Sequence, residues 1–169
     1  LKVADGKVFS GSYDNTIRIW DIDSGEELRV LSGHTKLVTC LQMVDGKVFS
    51  GSTDETIRIW DVDSGKELTV LKGHTGRVSC LQVADGKVFS GSWDETIRIW
   101  ELDSGKELKV LTGHTRGVTC LQVADGKVFS GSEDGTIRIW ELDSGKELKV
   151  LSGHTGRVTC LQVSDGKVF

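Results

Sequence analysis

The chain has no apolar run approaching the roughly 18 residues that a membrane-spanning helix needs, and no signal peptide opens it. Contact with a membrane is therefore not expected. It also lacks a surplus of positive charge: 21 Lys and Arg stand against 25 Asp and Glu, a formal net charge of -4, with the two signs interspersed. That balance argues against the basic face that a nucleic acid or an anionic membrane requires. There is no G-K-[ST] sequence for a phosphate loop and no C-x-x-C pair for a metal or redox site. No methionine stands at Leu1, and the single one is Met43, so the chain is expected to be a piece cut or built from something longer. What is present, 37% hydrophobic and 27% charged residues over 169 positions, is the composition of one globular domain with a real core.

The dominant feature is a forty-residue repeat. GHTKLVTCLQMVDGKVFSGSTDETIRIWDVDSGKELTVLK, residues 33–72, returns almost unchanged at 73–112 and 113–152, begins again at 153–169, and its latter part forms residues 1–32. Repeats of this length belong to arrays and propellers. Within a unit, short segments rich in Val, Ile, Phe and Thr alternate with turn residues, the pattern of antiparallel strands. Four strands fit each unit; in 33–72 they are a (37–43), b (47–52), c (56–61) and d (67–71). Asp45-Gly46 suits the tight a–b hairpin, because a type I′ turn needs positive φ at both central residues. Strand c, Ile57-Arg58-Ile59-Trp60, has bulky groups on both faces, so neighbouring units must cover it. Radial packing of four-stranded sheets does this, and the expected fold is an all-β propeller with four blades per chain. Residues 1–32 would be a blade lacking most of strand a, with three complete blades after it, and 153–169 would supply strand a and the start of b to close a ring.

Gly-His opens units at 33, 73, 113 and 153, and IRIW recurs at 17, 57, 97 and 137. These residues resemble the WD-repeat family of β-propellers, and the resemblance covers the whole chain. It implies a buried network in each blade joining a histidine, a serine, an aspartate and a tryptophan. Those roles fall on His34, Ser50, Asp54 and Trp60; on His74, Ser90, Asp94 and Trp100; on His114, Ser130, Asp134 and Trp140; and, divided between the two ends, on His154, Ser10, Asp14 and Trp20. Glu101 and Glu141 depart from the family pattern by replacing the aspartate after the tryptophan. The near-identity of the units is also what an engineered or recently amplified repeat would show.

His, Ser and Asp together invite a catalytic reading, but they recur in unit after unit and the structural network accounts for them, so no enzyme is expected. Glu26 and Glu27 are adjacent in a strand and point to opposite faces. Cys40, Cys80, Cys120 and Cys160 hold one repeat position forty residues apart; buried free thiols of a reducing intracellular compartment are expected rather than disulfides. No metal or cofactor is implied.

Function is sought where the copies differ. The a–b and c–d turns barely change, whereas the b–c turn carries Tyr13, Thr53, Trp93 and Glu133, and the d–a loop carries Leu37, Arg77, Arg116-Gly117 and Arg157. A meandering sheet puts both connections at one end, so one face of a ring is varied and the other uniform. By the same resemblance, the residue before the turn aspartate is a frequent ligand contact. Tyr13, Leu37, Thr53, Arg77, Trp93, Glu133 and Arg157 are the candidate partner-binding residues of a non-catalytic protein-interaction scaffold, since Trp, Tyr and Arg dominate hot spots. A narrower phosphopeptide reading, by similarity to the propellers of ubiquitin-ligase substrate adaptors, is disfavoured because Thr39, Ser79, Thr119 and Thr159 stand where arginines are needed. The rival reading is a structural or engineered repeat that self-assembles without a ligand. In either case His154 lies apart from its serine, aspartate and tryptophan while Ser10, Asp14 and Trp20 lie apart from a histidine, and the expected remedy is a homodimer closing an eight-bladed ring.

Overall fold

Asp-Gly pairs shape the four-stranded sheets. At Asp5-Gly6, Asp45-Gly46, Asp85-Gly86 and Asp125-Gly126 both residues have positive φ, 47–50° for the aspartates and 67–69° for the glycines, the backbone of a two-residue type I′ hairpin. The computed structural model describes residues 1–164 and 167–169; the fifth such pair, Asp165-Gly166, lies outside the described residues.

Each hairpin begins a four-stranded antiparallel sheet whose strands follow chain order. The first blade is β1 (Lys2–Ala4), β2 (Lys7–Gly11), β3 (Thr16–Asp21) and β4 (Glu27–Ser32); the second is β5 (Val38–Val44), β6 (Lys47–Ser52), β7 (Thr56–Asp61) and β8 (Glu67–Lys72). The third is β9 (Val78–Ala84), β10 (Lys87–Ser92), β11 (Ile97–Glu101) and β12 (Glu107–Leu111), and the fourth is β13 (Val118–Ala124), β14 (Lys127–Ser132), β15 (Ile137–Glu141) and β16 (Glu147–Leu151). A hairpin of β17 (Val163–Ser164) and β18 (Lys167–Val168) follows. The chain divides into two compact parts, Leu1–Val78 and Ser79–Phe169.

Several strand bounds differ from expectation, strand a running on to Val44 and strand d to Lys72. Strand a begins at Val38 rather than 37, because the Leu37 carbonyl accepts the Thr53 N–H (3.0 Å) and belongs to the turn. Glu26 stays outside β4; its carbonyl accepts the Asp21 N–H (2.9 Å) in the c–d turn. Of the strand a expected in the last unit only Val163 and Ser164 are strand. Elsewhere the residues matching 158–161 pair with a Ser-Gly-Ser segment such as Ser50–Ser52, and Lys167–Phe169 reach back only as far as Gln162.

In the second and fourth blades two bulges re-aim side chains. Strand a pairs Val38 with Ser52 and then Cys40 with Gly51, so Thr39 is the extra residue, and its hydroxyl donates to the Gly51 carbonyl (2.8 Å) and to the carbonyl of Val78. Strand d pairs Thr69 with Ile59 and Glu67 with Trp60. This skips Leu68 and leaves it 49% exposed.

In the first part the core lies between blades. Phe9, Ile17, Ile19 and Leu31 of one blade pack with Val38, Leu41, Val48, Trp60 and Val62 of the next. The isoleucine face of one sheet thus covers the tryptophan face of its neighbour, each large side chain contributing roughly 1.5–3 kcal/mol of burial. In the second part Phe89, Ile97, Ile99 and Leu111 pack in the same way with Val118, Val128, Trp140 and Leu142.

Candidate functional site

The loop that begins a complete blade folds onto its b–c turn because Asp54 accepts hydrogen bonds from both sides. Oδ1 accepts from the Thr56 N–H (3.0 Å) and hydroxyl (2.6 Å), and Oδ2 from the Thr35 N–H (3.0 Å). His34 Nδ1 lies 2.8 Å from the same Oδ2 and Nε2 lies 2.8 Å from Ser50 Oγ, which accepts the Trp60 indole N–H at 2.9 Å. A carboxylate only accepts, so Nδ1 carries the proton and donates to Asp54. The polar chain Trp60, Ser50, His34, Asp54 is thereby satisfied in a buried site. Gly33 must be glycine, since a Cβ there would lie 2.8 Å from both Arg58 Nη1 and the Trp60 ring.

The fourth blade repeats this with His114, Asp134, Ser130 and Trp140 at 2.8, 2.8 and 3.0 Å. In the third, Trp100 donates to Ser90 (2.9 Å), Thr96 donates to Asp94, and His74 is buried. In the first blade Trp20 donates to Ser10 (2.9 Å) and Thr16 to Asp14 (2.6 Å), but the blade has no histidine. His154 is exposed at the end of the fourth blade, beside a cavity of about 520 Å3 lined by Arg116, Glu133, Asp134, Gly135 and Arg157.

Burial pushes the Asp54 carboxyl up, but the bonds from His34, Thr56 and Thr35 outweigh it and hold the group far below the usual carboxylate range. Asp134 behaves likewise, with Thr136 and His114 as its main donors. Desolvation lowers His114 despite the adjacent Asp134, which favours a neutral imidazole donating to a carboxylate in the fourth blade. Ser50, Ser90 and Ser130 are fully buried, which denies a substrate access to the hydroxyl a nucleophilic mechanism would use.

The varied residues divide by exposure. Tyr13 is 86% and Trp93 50% exposed. Trp93 also lies on Gly117: a Cβ there would stand 3.0 Å from the indole Cδ1 and 3.2 Å from the Trp93 Cα, so glycine at 117 is what admits this packing. Glu133 is half-buried and its N–H donates to the Gly117 carbonyl (2.9 Å). Leu37, Thr53 and Arg77 are half-buried and Arg157 is exposed. The Thr53 hydroxyl is itself buried.

Three sets of contacts were not read from the sequence. Ser79 and Thr119, like Thr39, donate to a carbonyl one repeat ahead, Val118 and Val158 respectively. Gln82 grips the backbone of Val123, accepting its N–H (2.7 Å) and donating to its carbonyl (3.5 Å), as Gln122 grips Val163 (2.7 and 3.4 Å). Arg29 donates to the Asp63 (2.6 Å) and Ser64 (3.1 Å) carbonyls of the next blade's c–d turn, and Lys109 to that of Asp143. The signal available was a polar residue returning at one register position inside otherwise apolar strands. The cysteines are free; Cys40, Cys80 and Cys120 are half-buried, whereas Cys160, expected buried, is exposed because no strand lies opposite it. Among the described residues no group of His, Cys, Asp and Glu converges as a metal site, and no helix is long and apolar enough to cross a membrane.

Known proteins share these features. The chain is 50% identical over 38 residues to mitochondrial division protein 1 of Mycosarcoma maydis, covering 22% of this chain and 5% of that protein. It is 52% identical over 33 residues to dynein assembly factor with WD repeat domains 1 of Xenopus laevis, covering 20% of this chain and 8% of that protein. A crystal structure of the computationally designed Ika8 protein superposes with a TM-score of 0.93 at 39% identity, over 99% of this chain and 53% of that one. The sequence pattern described as WD domain, G-beta repeat matches residues 3–21, 25–61, 65–101, 105–141 and 145–169. With that pattern across nearly its whole length and the fold that goes with it, this chain belongs to the WD-repeat family, whose members generally serve as non-catalytic mediators of protein–protein interaction.

Proposed function

We propose that the chain is a non-catalytic scaffold that binds a peptide or protein through its b–c turns and d–a loops, with Tyr13 and Trp93 as aromatic anchors and Arg77 and Arg157 as charged contacts. The observation that carries this reading is the exposure of Tyr13 (86%) and Trp93 (50%) on b–c turns held by their own aspartates, Thr16 donating to Asp14 and Thr96 to Asp94. Large aromatic side chains on rigid turns bind with little loss of conformational entropy. Leu37, Thr53 and Glu133, being half-buried, shape the rim. The free cysteines accord with an intracellular setting. Selection from a displayed peptide library tests the reading: ligands recovered with the wild type should lose at least about ten-fold in affinity to Trp93→Ala or Arg77→Ala. Ligands that bind all three proteins equally would refute it.

The second reading, self-assembly without a ligand, is favoured by the likeness to a designed protein of which this chain covers about half. Two copies closing an eight-bladed ring would give His154 of each the Ser10, Asp14 and Trp20 of the other. Lys149 matches Arg29 and Lys109 in the repeat and would clasp the other copy's first c–d turn. Light scattering should then read twice the 18.4 kDa chain mass. A stable single chain at micromolar concentration would exclude it.

A further inference from the structure

The second, third and fourth blades differ in where their b–c turns carry acid. The turns read Thr53-Asp54-Glu55, Trp93-Asp94-Glu95 and Glu133-Asp134-Gly135, so the fourth has its glutamate at the first position and none at the left-handed third. Gly135 (φ 79°) therefore brings no side chain to the cavity of about 520 Å3 that it lines, and a Cβ there would stand 3.0 Å from the His154 carbonyl oxygen. We infer that this cavity takes a carboxylate side chain of a partner peptide, gripped by Arg116 and Arg157, and that the same peptide lays an apolar side chain on Trp93. The inference rests on the scaffold reading above and names the chemistry of its partner.

Charge decides the sign of the ligand. Arg116 and Arg157 line the cavity from consecutive d–a loops, both are exposed, and among the described residues neither guanidinium makes a hydrogen bond or an ion pair. The two carboxylates of the lining are not equivalent. Asp134 is already occupied by its own turn, its oxygens accepting from the Thr136 N–H (2.8 Å) and hydroxyl (2.6 Å), the Thr115 N–H (3.1 Å) and His114. Glu133 is half-buried, and among the described residues its side chain has no partner. Two unpaired guanidiniums thus share the cavity with one unpaired carboxylate, and the excess positive charge is what an incoming carboxylate neutralises. Arginine suits that group, since its planar fork donates two parallel N–H bonds to one carboxylate. His154, exposed in the same lining, adds a ring N–H in either tautomer. A dianionic phosphate fits less well, because its second charge would meet Glu133.

The backbone joins the cavity to Trp93. The Arg116 carbonyl accepts the Ser132 hydroxyl (2.9 Å) and the Gly117 carbonyl accepts the Glu133 N–H (2.9 Å), so the loop that carries Arg116 is fixed to the fourth blade's turn. On its other side Gly117 lies against the backbone and indole of Trp93. An aromatic surface, 50% exposed, and a pair of guanidiniums therefore sit beside one another on loops that have little freedom to lose on binding.

The test is selection from a displayed library of random peptides, with the recovered sequences then titrated by fluorescence polarisation against the wild type, Arg116→Ala, Arg157→Ala, Glu133→Gln and Trp93→Ala. Recovered peptides should share an aspartate or glutamate close to an aromatic or aliphatic residue. Each arginine variant should weaken them about ten-fold, and Glu133→Gln should tighten them about three-fold by removing the opposing charge. Once the peptide's acid is replaced by alanine, the arginine substitutions should cost nothing further, the non-additivity expected of groups in contact. Tighter binding of the same peptide with phosphoserine in place of its acid would overturn the assignment of a carboxylate. Peptides that lose affinity to Trp93→Ala but to neither arginine variant would overturn this inference and leave the scaffold reading intact. Peptides that bind every variant as well as the wild type, or a selection that recovers none, would remove the scaffold reading with it.

Discussion

The first and second blades carry nearly the same chemistry from strand b to strand c, KVFSGSYDNTIRIWD against KVFSGSTDETIRIWD, and both make the tryptophan–serine bond at 2.9 Å. Their interiors differ. Ser50 and Trp60 are 0% and 2% exposed, while Ser10 and Trp20 are half-buried and Asp14 is exposed. The difference is one histidine with the loop that carries it. Strands b and c with their turn assemble the indole, hydroxyl and carboxylate locally; the Gly-His loop seals them from water and links them. Asp14 is held below the usual carboxylate range chiefly by the Thr16 hydroxyl, whereas Asp54 needs three donors to overcome its burial. The network is thus two devices, a turn that forms alone and a seal that arrives from strand a.

The largest effect expected from this contrast is on stability. Trp60→Ala should cost about 3–5 kcal/mol, the cost of a cavity plus an orphaned serine. Trp20→Ala should cost only about 1–2 kcal/mol in the single chain, where solvent already reaches the site. Urea midpoints at a dilution where light scattering reads 18.4 kDa decide it; equal losses would show that the histidine adds no burial. If the copies pair at higher concentration, the two losses should converge.

Much of this was legible beforehand because a repeat states each rule several times. The type I′ turns, the four strands and the grouping of His34, Ser50, Asp54 and Trp60 followed from glycine positions, β-branched segments and the family likeness. The strand-a offset did not, because a carbonyl taken by Thr53 leaves no mark on Leu37. Nor did the bulges that turn Thr39 inward and Leu68 outward, which depend on hydrogen-bond register rather than residue type. The exposure of Cys160 was missed because its equivalence to Cys40 holds only if a strand lies opposite it.

The thiols test the same contrast at the other end of the chain. Burial pushes Cys40 up to about 11 and raises Cys120, whereas Cys160 is exposed. At pH 8 the single chain should show one cysteine reacting with a thiol reagent at least about a hundred times faster than the others, since both thiolate fraction and access fall on burial. Mass spectrometry of the adduct should place it on Cys160. Labelling at Cys40 of comparable speed would mean that the second blade opens as readily as the chain end.

Acid should act on the complete networks first. His114 is lowered from its ordinary 6.5, so its contribution is present above that pH and is lost as pH falls. Asp54 and Asp134 are far below their ordinary 3.8, so theirs persists down to about that value and is lost as pH falls further. Stability should therefore begin to decline below about pH 6.5 and fall more steeply below about pH 4. Asp54→Asn should cost about 1–2 kcal/mol at pH 7, modest because the amide keeps one acceptor oxygen for the turn, and should flatten the acid limb. Asp14→Asn, at an exposed turn, should shift the midpoint and the acid limb less than Asp54→Asn does, and an equal response of the two variants would erase the distinction between sealed and open blades.

The smallest effect concerns the b–c turn that both blades form without help. Its third residue is left-handed in every blade: Asn15 and Glu55 at φ 71°, Glu95 at 72°, Gly135 at 79°. A glutamate pays about 1 kcal/mol or more for that conformation, whereas asparagine tolerates it and glycine is free of it. Glycine returns part of the gain as extra chain entropy on folding, roughly 0.5–1 kcal/mol. Glu55→Gly should therefore stabilise by only about 0.5 kcal/mol, and Asn15→Gly by nothing measurable. The reverse change is harsher. A Cβ at Gly135 would stand 3.0 Å from the His154 carbonyl oxygen and 3.2 Å from that of Gly156, so Gly135→Glu combines backbone strain with a collision against the chain end and should cost about 1–2 kcal/mol. Differential calorimetry on the three variants resolves the order. If Asn15→Gly stabilises as much as Glu55→Gly, the turn of the first blade is strained like that of the second, and it does not form as freely as its exposed, histidine-free setting implies.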